Sequence, residues 1–210
     1  MKTLSFFFHK LLASEQLTSK PLIPKGAIFI RHAKYDYTNK VILESEKIPK
    51  ISELCTVFCG NADRHIKTAE HIKNSDIVKL EWLNDFDLGD HSEHHIIEAL
   101  KVAVQKNTSE LTEFEIKCKS VFIDGNADVK FASETIQDFF IRIIHGLRKI
   151  IPSEHKGKLI FITSRGNLAA LQMLATNNTN YKDWPKIARS FENCSIYQFN
   201  ECQTFNFEYD

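Results

Sequence analysis

Two apolar runs in this chain end in charged corners of the same kind. Ala27-Ile28-Phe29-Ile30 runs straight into Arg31-His32, and Lys158–Thr163 runs into Ser164-Arg165-Gly166. A third arginine, Arg64, follows the apolar run Cys55–Cys59 after a short turn. Arginine carries a rigid, planar fork of N–H donors that matches the geometry of a phosphate group. Taken singly, each of the three could as well make a structural salt bridge. Taken together, their common setting points to one shared anion. Helix N-termini at such corners add backbone N–H donors and a favourable dipole. His32 beside them has three chemistries open to it: nucleophile, general base or metal ligand.

The elements that must position these residues can be read from the pattern of the chain. Ile28–Ile30 is short, continuously apolar and preceded by Pro24-Lys25-Gly26. That reads as a strand buried on both faces, as in a parallel sheet, and ligands bind outside the carboxyl ends of such strands. A polar loop is expected through about residue 50, then a second strand over Cys55–Cys59 and a turn at Gly60-Asn61-Ala62-Asp63. Ile66, Ala69 and Ile72 give Arg64 to Lys73 helical spacing. Ile77–Leu83 reads as a third strand, and Asn84–His95 as an acidic, histidine-rich loop. One or two helices are expected over about residues 93–120, with a loop at Asp124-Gly125-Asn126. Ser133 to Ile151 reads as an amphipathic helix with Ser133 as its cap, Glu134 in its first turn and Pro152 as its stop. Lys158–Ser164 is the clearest strand, and Arg165-Gly166-Asn167 turns into another helix. In the tail, "CSIYQF" and "TFNFEY" alternate as edge or antiparallel strands do. Strands alternating with helices indicate a layered α/β domain.

Composition narrows the function. The 27 basic and 27 acidic residues cancel, which gives no support to nucleic-acid or acidic-membrane binding as the main role. No apolar run approaches the roughly 18 residues of a membrane helix. The N-terminal stretch MKTLSFFFHKLLASEQ has its apolar core broken by His9 and Lys10, so it reads as an early helix or arm rather than a signal peptide. The 16 phenylalanines allow a sizeable core. Five scattered cysteines, an odd number, fit free thiols and a cytoplasmic location. Cys55 and Cys59, inside an apolar run, read as buried strand thiols rather than a metal or redox pair.

Set in order, these features resemble the histidine phosphatase superfamily, whose fold is phosphoglycerate-mutase-like. Its opening Arg-His-Gly corresponds to Arg31-His32-Ala33, and its second signature, Arg-x-x-x-Thr-Ala, to Arg64, Thr68 and Ala69. "LNDFDLGD" places Asp85 at the family's acidic position and Gly89 at its glycine. "SETIQDFFIR" matches the next signature in spacing, with Glu134, Asp138 and Arg142. Ser164-Arg165-Gly166 stands where the family has Ser-His-Gly. The signatures span roughly residues 27–200. The resemblance implies a single domain over residues 1–210, a three-layer α/β/α sandwich with a mostly parallel central sheet. Residues 1–24 would form an N-terminal arm, and about 84–132 an insertion or lid region.

The resemblance also implies roles. His32 would be the nucleophile that takes the phosphoryl group, Arg31 and Arg64 its clamps, and Asp85 the general acid. An acid role would need burial or an acidic neighbour, for which Asp87 and Asp90 are candidates. No cofactor or metal is implied, and Asp90, His91, Glu93, His94 and His95 read as a solvated loop or part of a lid rather than a metal site. The expected ligand is a phosphorylated small molecule or phosphoprotein, with no nucleic acid and no membrane; oligomeric state is not readable.

Three departures qualify this. Arg165 replaces the family's second histidine; it can bind phosphate but cannot lose a proton at working pH. Gly60 stands where the family often has serine. The interval between Arg31 and Arg64 is short and carries Pro49, so the helix usually found there should be truncated or absent. Two readings follow: a phosphatase of weak turnover, or an inactive phosphate-binding or interaction module. A mutase would need a retained phosphoenzyme and a fitted sugar-acid pocket, which the signatures do not supply.

Overall fold

The computed structural model of the chain describes residues 23–73, 75–150 and 152–199. In chain order its elements are β1 (Ile28–Arg31), β2 (Tyr35–Asp36), β3 (Val41–Ile42), β4 (Cys55–Cys59), α1 (Asp63–Glu70), β5 (Ser75–Lys79), α2 (Glu93–Gln105), α3 (Glu113–Phe122), α4 (Ile136–Arg148), β6 (Lys158–Thr163), α5 (Arg165–Ala175), α6 (Trp184–Arg189) and β7 (Ile196–Tyr197). The central sheet has the order β5-β4-β6-β1-β7. Its neighbouring pairs are parallel except β1–β7, which is antiparallel.

Alternation along the strands sorts side chains into two cores. Phe29, Phe161 and Phe58 stand opposite one another in β1, β6 and β4, and their rings stack across the sheet at centroid distances of 4.8 and 4.9 Å. With Phe139, Ile143, Leu147, Leu168 and Leu171 they form the larger core, against α4 and α5. Ile30, Ile162 and Cys59 share a rung on the other face. There they join Ile28, Ile160, Val57, Ala69 and Ile72 in a smaller core under α1. Helices on both faces of a mostly parallel sheet make the layered α/β fold expected. Cys55 and Cys59 are fully buried in β4, and burial raises both thiols above their ordinary pKa.

Some boundaries differ from expectation for physical reasons. The third strand is Ser75–Lys79, not Ile77–Leu83, because its ladder with β4 ends where β4 ends, at Cys59 opposite Lys79. Trp82 and Leu83 are apolar because a 3₁₀ turn (Glu81–Leu83) buries them against the helical layer. Trp82 lies so close to Gly146 of α4 that a Cβ there would fall 2.1 Å from the indole. The cap of α4 is Thr135, not Ser133. Ser133 gives its N–H and hydroxyl to Asp87, while Thr135 and Asp138 complete a reciprocal capping box. The helix ends at Arg148, before Pro152.

Between β1 and β4 the described chain forms the small β2–β3 hairpin and a 3₁₀ turn (Ser45–Lys47) instead of a helix. Ile42, Ile48 and Ile51 from this stretch close the smaller core. "CSIYQF" supplies the antiparallel edge strand β7. "TFNFEY" and the N-terminal stretch through Leu22 lie outside the described residues. No helix among the described residues is long and apolar enough to cross a membrane.

Candidate active site

β4, β6 and β1 are neighbours in the sheet, and each delivers one arginine corner at its carboxyl end. Arg31 is the last residue of β1, opposite Thr163, and the His32 N–H donates to the Thr163 carbonyl at 3.0 Å. Arg165 opens α5 directly after β6, and Arg64 is the second residue of α1, which follows β4. The fold therefore gathers the predicted residues Arg31, His32, Arg64 and Arg165 at one end of the sheet, the position from which parallel sheets bind ligands.

Local hydrogen bonds fix the His32 corner. The His32 Nδ1 lies 2.8 Å from the Ala33 carbonyl oxygen, so Nδ1–H donates there and the lone pair falls on Nε2. The Ala33 N–H donates to Thr68 Oγ1 at 3.0 Å, and that hydroxyl donates to the Arg64 carbonyl at 2.6 Å. Asn193 Nδ2 donates to the His32 carbonyl, and the Cys194 N–H to that of Arg31. Arg31 Nη1 donates to the Phe191 carbonyl at 2.7 Å, while its Nε is buried without a hydrogen-bond partner. The segment Phe191–Cys194 thus braces the end of β1.

Burial pushes the His32 imidazole down to about pKa 3, and Arg64, Arg31 and Arg165 push in the same direction, against the Ala33 hydrogen bond. His32 is therefore neutral at any ordinary working pH. Burial also lowers Arg31 and Arg165; for Arg165 the charges of Arg31 and Arg189 add to it. Three guanidinium groups whose charges reach one neutral imidazole form a site suited to a multiply charged oxyanion.

Asp85 sits at the same end of the sheet, ion-paired through Oδ2 with Arg64. The expected acidic partner Asp87 turns elsewhere: its carboxylate accepts from Ser133 and from the Gly89 N–H, and Ser133 holds it below its ordinary pKa. The charged and polar neighbours of the Asp85 carboxylate are instead Arg64 and His65. The segment before Asp85 is clamped by Arg142 of α4. Its Nη1 donates to the carbonyls of Glu81, Trp82 and Asn84, and its Nη2 to that of Asp85. Glu134 pairs with the same guanidinium at 2.9 Å and accepts the Asp87 N–H. The buried Asn167 and Thr163 add donors to the carbonyls of Asn84 and Leu83.

Further polar groups that the motifs do not include lie at this end of the sheet. His65 is fully buried in α1, with its ring centroid 5.1 Å from that of His32. Its signal lay in the periodicity: position 65 shares the helical stripe of Thr68, Ala69 and Ile72, all of them buried. Tyr37, carried by the β2–β3 hairpin, sets its ring 5.9 Å from the Arg64 guanidinium and is largely exposed at the rim. His91 and His95, on the acidic loop and α2, pack their rings on Phe114 of α3.

Two solved structures share this fold. Over 81% of this chain and 87% of its own, the phosphoserine phosphatase of Entamoeba histolytica, in complex with 3-phosphoglyceric acid, superposes with a TM-score of 0.54 at 11% identity. The alpha-ribazole phosphatase of Shigella flexneri does so over 87% of this chain and 99% of its own, with a TM-score of 0.55 at 13% identity. No protein-family model and no curated protein matches the chain in sequence.

Proposed function

We propose that this chain is a phosphatase-like protein of the histidine phosphatase superfamily, which binds a phosphoryl group among Arg31, Arg64 and Arg165 and hydrolyses phosphomonoesters or phosphohistidine slowly through His32. The observation that carries this reading is the state of the His32 ring. It is neutral, its Nδ1 proton is committed to the Ala33 carbonyl, and its Nε2 lone pair is left for attack among three arginines. Nucleophilic catalysis needs such a ring. The fold shared with two phosphatases supports the same reading.

In the first step Nε2 forms a bond to phosphorus while the ester P–O bond breaks, and the leaving oxygen takes a proton from Asp85. In the second, water adds to phosphorus as the N–P bond breaks, Asp85 takes the water proton, and inorganic phosphate departs. The arginines stabilise the equatorial oxygens as charge redistributes. The ligand is a phosphorylated small molecule or a phosphoprotein.

A second reading is an inactive phosphate-binding or interaction module, favoured by two specific features. Arg165 adds permanent charge that holds phosphate in the ground state as firmly as in the transition state, which does not accelerate chemistry. The Arg64–Asp85 ion pair must also open before Asp85 can deliver a proton.

Phosphate release from p-nitrophenyl phosphate and a phosphopeptide panel separates the two, run on the parent, His32→Ala and Arg165→His. The phosphatase reading expects parent activity that falls to background in His32→Ala. A silent parent that gains activity in Arg165→His would mean a scaffold disabled at one position. Silence in all three would point to the binding module and move the search to ligands and partners.

A further inference from the structure

The mechanism above does not use the buried side chain of His65. Neither ring nitrogen of His65 has a hydrogen-bond partner, although the residue is fully buried. Its Nε2 lies 3.6 Å from Oδ1 of Asp85, and that oxygen is itself buried without a hydrogen-bond partner. Two orphaned polar atoms thus face each other slightly beyond hydrogen-bond distance. Such atoms are costly to bury and are not left unpaired without cause.

The sequence makes room for this ring. A Cβ at Gly60 would fall 2.4 Å from His65 Nδ1, 2.8 Å from the Leu83 carbonyl oxygen and 3.0 Å from Asn84 Oδ1. The glycine therefore leaves room both for the imidazole and for the segment that leads to Asp85.

The phosphatase reading gives the pair a task. Arg64 holds Asp85 Oδ2. A bound phosphoryl group competes for that guanidinium, and Asp85 then needs another anchor. We propose that His65 is a positioning residue for Asp85: its Nε2–H donates to Oδ1 and so presents Oδ2 to the leaving oxygen once Arg64 turns to the phosphoryl group. This rests on the phosphatase reading. Oδ1 is an acceptor whether the carboxyl is protonated or ionised, so the same hydrogen bond serves both steps. In the first, the Oδ2 proton passes to the leaving oxygen; in the second, Oδ2 takes a proton from water. Burial, with His32 and Arg64 nearby, holds the His65 ring well below its ordinary pKa. It thus orients Asp85 as a neutral donor without adding another cation. Catalytic hydrogen bonds that are long in an empty site commonly tighten when the site is loaded.

The test pairs a spectroscopic readout with a kinetic one. In ¹⁵N-histidine-labelled protein, the resonance lost in His65→Leu should report a neutral Nε2–H tautomer. It should move in Asp85→Ala and on addition of orthovanadate. A bare Nε2, or a proton indifferent to Asp85→Ala, overturns the proposal. In kinetics, p-nitrophenolate leaves with little help from an acid, whereas phenolate needs one. His65→Leu should therefore lower kcat/KM, which reports the step that expels the leaving group, about tenfold more for phenyl phosphate than for p-nitrophenyl phosphate. His65→Gln, which keeps an N–H donor, should recover most of that difference. Equal losses of kcat/KM on both esters in His65→Leu would overturn the proposal. A parent that hydrolyses neither ester defeats the phosphatase reading alone; the tautomer and its response to Asp85→Ala still decide the role of His65.

Discussion

His32 and His65 occupy one corner of the fold in which burial and positive charge act in the same direction. Both imidazoles are held below their ordinary pKa of 6.5, His32 at about 3. A histidine harder to protonate in the folded state binds fewer protons there than in the unfolded chain. Its neutral form is therefore fully compatible with the fold above about pH 6.5, and stability is lost as pH falls toward the folded value. His32 should contribute about 1.4 kcal/mol of lost stability per pH unit between roughly pH 6 and 4, and His65 should add to the loss in the same direction below its ordinary pKa. Urea unfolding at stepped pH reads this slope. His65→Leu should remove its share, and a variant with the parent's slope would mean that the ring is protonated in the folded protein. The sequence exposed His32 through its place at the end of an apolar run. It hid His65, because a histidine in a helical stripe looks the same whether it packs in a core or faces a carboxylate such as Asp85.

One side chain ties the elements around the acid. Arg142 reaches from α4 to four carbonyls of the 81–85 segment and pairs with Glu134, so the helix and the Asp85 loop move as one unit. Arg142→Met should cost about 3 kcal/mol, because Glu134 and the carbonyls lose their shared donor. Phosphate release should fall further than the folded fraction does, since Asp85 loses its support. Thermal melting followed beside activity checks this, and a variant as stable and as active as the parent would remove the clamp from the account. The spacing of Glu134 and Arg142 was legible in the chain, but their partners were not. Those partners are backbone carbonyls, which carry no side-chain signature. The same limit explains the misplaced cap of α4: Ser133 and Thr135 both suit an N-cap, and only the position of Asp87 decides between them.

Across the whole molecule, the rung Phe29–Phe161–Phe58 joins the three strands whose ends carry the arginines. Phe161 stacks on both neighbours, so Phe161→Ala should destabilise the fold by about 4 kcal/mol and loosen all three corners together. A urea titration should show the lower midpoint; a shift below about 1 kcal/mol would mean that the rung is dispensable. The chain's own sequence determined the alternation of strands and helices, the buried strands with their arginine corners, and the placing of His32 beside one of them. These follow from periodicity and residue chemistry, which are local. Tertiary structure alone decided that Arg64 faces Asp85, that Asp87 turns away to Ser133, that Arg142 gathers the acid loop, and that the space left by Gly60 is filled by His65. Each of these depends on which groups meet across the sheet. That is set by how the layers pack and by which buried polar atoms find partners, and no spacing along the chain encodes it.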